Sequence, residues 1–157
     1  MASNKDNIAA SLFDRLIDDD PLESSEPRPR RVVTRREFRD SVRAELMRLF
    51  NSRSDIRHYD PAPGGMTVLN YGLPDFSSFF PASQEHQRML TDEIVRSITA
   101  FEPRLRRVRA HVTGSPRAGT LSIAIEAVLM AGSEPEPVSF PLLISDRDLV
   151  VEVNSGE

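Results

Sequence analysis

The sequence predicts an α+β fold in which amino-terminal helices pack on one face of a small, mainly antiparallel carboxyl-terminal β-sheet. Two observations lead to this prediction. In the first two thirds of the chain, apolar residues recur at the spacing of a helix face, and from residue 108 they alternate with polar residues as in half-buried strands. Helices followed by a run of strands are the order expected of an α+β domain. The 157 residues suffice for one such domain.

The amino-terminal segment predicts a short helix and a linker. Residues 8–17 place apolar side chains at helical spacing, but the aspartates that follow them oppose the helix macrodipole. We therefore expect this helix to be ordered only when it docks on a partner. Residues 21–33 contain three prolines and no periodicity, which predicts an extended linker. The predicted division is residues 1–33 as short helix and linker, and residues 34–157 as a single α+β domain.

Two longer helices carry capping signals. Thr34 and Glu37 form a capping box directly ahead of a strongly periodic apolar face. Ser83 stands where it can cap a second helix, and Pro103 ends that helix because it disfavours helical backbone at Glu102.

The remaining segments predict loops and strands. Glycines and prolines in residues 51–65 predict a loop, and residues 66–69 predict a short strand. Alternating patterns then predict three antiparallel strands joined by glycine-containing turns, with inward-facing apolar series that begin at Val108, Leu121 and Val138. A last strand is predicted over residues 149–153.

Several classes of chemistry lack their sequence signatures. The chain has no cysteine, its three histidines form no spaced pair, and its seven glycines include no phosphate-binding or dinucleotide-binding loop. We expect no metal site and no cofactor. No apolar run approaches the roughly 18 residues of a membrane-spanning helix. The amino terminus lacks the basic and apolar pattern of a secretory signal, so nothing in it predicts export.

Charge is segregated along the chain although the net charge is only -4. Residues 28–57 hold ten arginines against four acids, residues 104–117 hold five arginines and no acid, and residues 134–157 hold six acids and one arginine. Arginine supplies nineteen of the twenty basic residues and makes bidentate pairs that lysine cannot make. A surface that docks on protein carboxylates explains this bias, and genomic base composition explains it equally well.

Two functions other than a protein scaffold remain open. A lysozyme-like hydrolase needs two carboxylates beside a sugar cleft, which leave no linear signature. Among the carboxylates, Glu102 holds the one special position, but Arg104 would keep it ionised if the two pair, which is the wrong state for a general acid. Nucleic-acid binding would use Arg107, Arg109 and His111 on one strand face. Against it, aromatic residues are only 6% of the chain and none is interleaved with the arginines to stack on bases.

The junction between the second helix and the first long strand reads Ile-Thr-Ala-Phe-Glu-Pro-Arg-Leu over residues 98–105. Together with residues 12–16, residues 68–75 and the closing strands, it resembles the TssE family of type VI secretion baseplate subunits. These are relatives of the phage tail baseplate wedge proteins that are often labelled lysozyme-like. The resemblance extends from about residue 10 to residue 153.

The resemblance implies a structural role and no catalytic residues. It implies a cytoplasmic bacterial baseplate wedge component, present in multiple copies, that contacts other wedge subunits and starts assembly of the contractile sheath. Such a baseplate docks at the inner face of the inner membrane, without membrane insertion or nucleic-acid binding by this chain. The Glu-Pro-Arg motif of the family is associated with the wedge core, and it maps to Glu102, Pro103 and Arg104.

A second interaction site is predicted from the physics of sheet edges. A terminal strand has one covalent neighbour, so its outer edge is open to a strand from another chain. This places Leu149, Val151 and Val153 at a site for sheath subunits. Nearby Asp146, Asp148 and Glu152 would deter self-pairing and favour a basic partner strand.

Overall fold

A computed structural model describes residues 8–9, 22, 32–54, 66–76, 82–117, 119–131, 134–145 and 151–153. Two short strands, β1 (Ile8–Ala9) and β2 (Val32–Val33), precede helix α1 (Arg35–Asn51). A 3-10 turn (Val68–Asn70) and helix α2 (Gln84–Phe101) follow. The chain then forms the four strands β3 (Leu105–Gly114), β4 (Thr120–Ala131), β5 (Glu134–Ser145) and β6 (Val151–Val153).

Helix α1 begins where the sequence predicts. The Thr34 hydroxyl accepts a hydrogen bond from the Glu37 amide at 3.2 Å, and the Glu37 carboxylate accepts one from the Thr34 amide at 2.7 Å. This capping box satisfies amide groups that a helix start leaves without intrahelical partners. Its apolar face is buried in the core, through Phe38, Val42, Leu46, Leu49 and Phe50.

Helix α2 also has the predicted ends. Ser83 caps it by accepting a hydrogen bond from the amide of His86, and the helix closes at Phe101. The amide of Glu102 still donates to the carbonyl of Ile98 at 2.8 Å, and Pro103 then prevents a further helical turn. The chain therefore changes direction at Glu102, between helix α2 and strand β3.

The sheet has the order β3-β4-β5-β6, and each neighbouring pair is antiparallel. Along β4, buried and more exposed residues alternate without interruption. Helix α1 lies against β6 and β4, and helix α2 lies against β3. The predicted α+β fold, with helices on one face of a mainly antiparallel sheet, is confirmed.

The direction of the backbone groups in this sheet follows from one hydrogen bond. The Met130 amide of β4 donates to the carbonyl of Arg104 at 2.8 Å. The backbone amides and carbonyls of the even-numbered residues of β4 therefore point toward β3. The backbone groups of the odd-numbered residues of β4 consequently point toward β5, where these residues pair with even-numbered partners. The odd-numbered prolines of β5, at 135, 137 and 141, therefore break no hydrogen bond to β4, because their missing amides lie on the opposite edge.

Strand β3 contains a β-bulge that simple alternation did not predict. Arg106 pairs with Val128 and Arg109 pairs with Glu126, so residues 107 and 108 together stand opposite a single residue of β4. Arg107 adopts a φ of 53°, the left-handed region that residues other than glycine seldom occupy. The extra residue allows both Leu105 and Val108 to turn toward the core. Arg107, Arg109 and His111 are exposed, as the alternation predicts.

The predicted helix over residues 8–17 is wrong at its start, because Ile8 and Ala9 form strand β1. Strand β1 pairs with β2, with Ile8 opposite Val33, and both of these side chains are buried in the main core. The β-branched residues at these positions suit an extended backbone that buries their side chains. This end of the amino-terminal segment therefore packs on the chain itself; residues 10–17 lie outside the described residues.

The predicted strand over residues 66–69 is also wrong. Thr67 and Asn70 form a local capping box that favours a 3-10 turn, with the Thr67 amide donating to the Asn70 side-chain oxygen at 2.8 Å. The chain then turns through Gly72, whose φ is 117°. Leu73 follows, buried beneath the end of α1, and pairs with Arg53 in a single bridge.

Candidate protein-interaction site at the helix–strand junction

The Glu-Pro-Arg motif lies where helix α2 ends and strand β3 begins. The side chain of Glu102 is only 4% exposed and that of Arg104 is 17% exposed, whereas Pro103 lies at the surface. Two charged groups are therefore withdrawn from water within three residues, and the proline between them remains exposed.

Glu102 and Arg104 form a bidentate ion pair. Arg104 donates from Nε to Oε1 at 2.7 Å and from Nη2 to Oε2 at 2.6 Å. The backbone amide of Arg104 also donates to Oε1, at 3.2 Å. Parallel N–H···O bonds of this kind match the planar guanidinium to the carboxylate, and lysine cannot reproduce them. The pair consequently fixes the direction in which the chain leaves helix α2.

Arg104 also connects the junction to helix α1 and to strand β4. Its Nη1 donates to the hydroxyl of Ser41 at 3.0 Å, and its guanidinium carbon lies 5.5 Å from the centre of the Phe38 ring. Its carbonyl accepts the amide of Met130. One side chain thus joins elements that are far apart in the sequence, and the motif contributes to the internal architecture of the domain.

An aromatic contact lies beside the motif. The rings of Tyr71 and Phe101 meet edge to face with their centres 5.3 Å apart. Burial raises the pKa of the Tyr71 hydroxyl, and the carboxylates of Glu45 and Glu102 add to this effect while Arg48 opposes it. The segment that contains Tyr71 therefore lies near the junction, although about thirty residues separate it from the motif.

The residues of the second predicted site lie apart from the motif, on strand β6. Val151 pairs with Ile144 and Val153 pairs with Leu142, while Leu149 lies outside the described residues. Because even-numbered residues of β5 direct their backbone groups to β4, the amides of Val151 and Val153 point away from β5. Strand β6 is the last strand in the described order of the sheet.

Sequence reasoning missed the partners of Arg104 in helix α1. Phe38 and Ser41 are three residues apart, and helical spacing alone indicates that they lie on neighbouring positions of one face. Nothing local indicates that this face meets a residue 63 positions later in the chain. The signal that was available is the serine itself, a polar residue next to the predicted apolar stripe.

The structure also bears on the groups considered for catalysis. Glu102 directs both carboxylate oxygens to Arg104. Within the described ranges, no three His, Cys, Asp or Glu side chains cluster in a way that could hold a metal ion. Among the same residues, no helix has the length and apolar character needed to span a membrane.

The fold and the junction define a small α+β domain whose charged motif joins its own helices to its sheet. Residues 36–134 match the family described as "Baseplate wedge protein gp25". This match covers more than half of the chain, and the chain therefore belongs to the gp25 family of baseplate wedge proteins. The matched range includes helix α1, the Glu-Pro-Arg motif and strands β3 and β4.

A solved structure has a similar fold. One chain of the structure described as "The baseplate complex from the type VI secretion system" aligns with a TM-score of 0.50 and 15% sequence identity. The alignment covers 68% of this chain and 93% of that chain. No curated protein matches the sequence.

Proposed function

We propose that this chain is the TssE-type wedge subunit of a type VI secretion baseplate, a structural component that contacts other wedge subunits and starts sheath assembly. The family match over residues 36–134 carries the proposal, and the similar fold of a chain from a type VI baseplate complex supports the particular machine. In this role the protein lies on the cytoplasmic side of the inner membrane, in multiple copies. Its function depends on its contacts with other subunits and not on catalysis.

The first interface we propose is the junction of Glu102, Pro103 and Arg104. The ion pair holds the turn rigid, so Pro103 is presented in one conformation and little conformational entropy is lost when a partner binds. The side chain of Arg104 is 17% exposed beside Pro103, so its positive charge adds a long-range attraction for an acidic surface of another wedge subunit.

The second interface we propose is the outer edge of strand β6, with Leu149, Val151 and Val153, for a strand of a sheath subunit. The outward direction of the Val151 and Val153 amides supports this assignment, since strand addition needs backbone donors and acceptors that are not used within the sheet.

The direct test of the proposed role is a pull-down of the tagged full chain from cells of its own host. Wedge and sheath subunits of the secretion machine should co-purify. In cells that carry a fluorescently labelled sheath subunit, deletion of the gene should abolish visible sheaths. Purified protein should leave peptidoglycan turbidity unchanged. Sheath assembly that persists after deletion would contradict the proposed role.

A substitution tests the β6 interface separately. Val151→Pro removes an amide that points away from β5, so the protein should fold normally and fail to initiate sheaths. Ser139→Pro is the matched control, because its amide also points away from β4 and its position lies beyond the pairing of β6. Normal sheath formation by folded Val151→Pro protein would exclude the β6 edge while leaving the baseplate role intact.

A further inference from the structure

Strand β3 forms the edge of the sheet opposite β6 and directs some of its backbone groups away from the sheet. Arg109 and His111 pair with the even-numbered residues Glu126 and Ala124, whose backbone groups face β3. The amides and carbonyls of Ala110 and Val112, which alternate with these residues, therefore point away from the sheet. Within the described part of the chain, no strand pairs with β3 on that side.

A groove of about 370 Å³ runs along this edge, between strand β3 and the amino-terminal half of helix α2. Its strand wall consists of Ala110, His111 and Val112. The helix wall presents the side chains at one helical spacing, namely Gln84, Gln87, Arg88 and Thr91. A strand added to β3 would place every second side chain in this groove, between the half-buried Ala110 and Val112 and the helix.

Arginines dominate the strand side of the groove, although Glu85 and Asp92 of helix α2 are also exposed. Arg107, Arg109 and His111 are exposed on β3, and Arg88 is exposed across the groove. Glu126 lies beside Arg109 on β4, but no lining residue is acidic. The arginines Arg107 and Arg109 disfavour pairing of this edge with a second copy of itself and attract a strand of opposite charge.

The other side of the sheet offers a poorer edge. Prolines at positions 135, 137 and 141 remove amides from the outer edge of β5, and β6 covers only three residues of that strand. Strand β3 is ten residues long and contains no proline. Its bulge lies at Arg107, before Ala110, so the segment beside the groove keeps a regular register with β4 up to Val112.

We propose that the groove between α2 and β3 binds an extended acidic segment of a partner protein, which adds to the sheet as a strand next to β3. Acidic side chains of the segment face Arg107, Arg109 and His111, and the small apolar side chains that alternate with them enter the groove. This edge is distinct from the β6 edge, so the domain can receive strands on both sides.

The test uses the purified full chain and two short labelled peptides, one of alternating glutamate and valine and the other of alternating lysine and valine. The glutamate peptide should bind, more weakly as salt increases, and should slow hydrogen exchange of the Ala110 and Val112 amides. The lysine peptide should not bind. Absence of glutamate-peptide binding, equal binding of both peptides, or protection confined to β6 would overturn the proposal.

Two variants locate the site. Ala110→Pro removes an outward-pointing amide and should lower the affinity for the glutamate peptide about tenfold. His111→Glu leaves the backbone unchanged and should weaken it through charge, so the test stands even where the proline variant fails to fold. Ser139→Pro should bind like the unaltered protein. Unchanged affinity for the glutamate peptide in His111→Glu and in folded Ala110→Pro would exclude this edge as the binding site. The experiment contains no baseplate, so its result is independent of the proposed wedge role.

Discussion

At the scale of single residues, the Glu102–Arg104 pair belongs to the internal structure of the domain. Its carboxylate is buried and receives three hydrogen bonds from Arg104, and the guanidinium extends to Ser41 in helix α1. Alanine at either position would therefore remove buried contacts of the fold itself. The pair is expected to affect stability first and assembly as a consequence.

Glu102→Ala should destabilise the domain by about 3 kcal/mol, because it leaves a largely buried guanidinium without its carboxylate. Urea unfolding of the purified protein measures this loss. Glu126→Ala, which removes an exposed carboxylate of β4, serves as the control and should change stability by no more than about 0.5 kcal/mol. Equal stability of the two variants would mean that the buried pair contributes nothing to folding.

Gly72 is the residue with the strictest backbone requirement in the described segments. Its φ is 117°, and a Cβ atom at this position would lie 2.5 Å from the carbonyl oxygen of Ser52. Gly72→Ala should therefore lower the melting temperature and cost about 2 kcal/mol or more. Gly114→Ala is the matched control, since nothing lies within 4 Å of the added Cβ atom and no strained φ is involved. Similar melting temperatures for the two variants would refute this steric argument.

At the scale of secondary-structure elements, ion pairs connect the start of helix α1 to the start of strand β5. Arg39 pairs with Glu136, and Arg35 contacts Glu134 at 3.1 Å and Glu136 at 3.8 Å. These groups are partly exposed, so solvent weakens each pair, but two arginines and two glutamates act together. They orient α1 across the sheet, while its apolar face supplies most of the attraction.

A double-mutant cycle on Arg39→Ala and Glu136→Ala should give a coupling energy of about 0.5–1 kcal/mol that decreases at high salt. The pair of Arg48 and Glu45 within helix α1 is the comparison, and its coupling should be about 0.3–0.5 kcal/mol. Both values come from chemical denaturation of the four proteins in each cycle. A coupling that does not respond to salt would indicate that packing of the arginine stem, and not charge, joins α1 to β5.

At the scale of the whole molecule, one hydrophobic core unites the helices, the sheet and the first strand. Phe50, Phe140, Ile94 and Leu129 are almost completely buried in it, and Ile8 belongs to the same cluster. The amino-terminal segment therefore contributes to the core through β1. The predicted domain boundary at residue 34 can therefore be tested by measuring how much of the stability of the domain remains when residues 1–33 are removed.

A chain that begins at Thr34 should still fold, because helices α1 and α2 and the long strands retain their core. It should be less stable by about 3–6 kcal/mol, because two buried core side chains, Ile8 and Val33, are lost and each contributes about 1.5–3 kcal/mol. Circular dichroism and thermal unfolding measure both properties. An unfolded product would place residues 1–33 inside the domain, and unchanged stability would mean that β1 adds nothing to it.

The parts of the fold that sequence alone determined are those governed by interactions within a few residues. Thr34 and Glu37 satisfy each other's backbone and side-chain groups locally, and Pro103 ends helix α2 by its own geometry. The alternation along β4 follows from the period of a strand. The ends of the two long helices, the strands of the main sheet and the α+β order were therefore predictable, and so was the position of the motif between a helix and a strand.

Tertiary structure alone decided the features that depend on distant partners. The hydrogen bond from Arg104 to Ser41, the strand conformation of Ile8 and the bulge at Arg107 each satisfy packing or pairing with residues remote in the sequence. A local pattern contains no information about which faces and edges meet, because burial and hydrogen bonding between distant segments exist only after the chain has folded. For the same reason, the open backbone groups beside the α2–β3 groove became visible only in the assembled sheet.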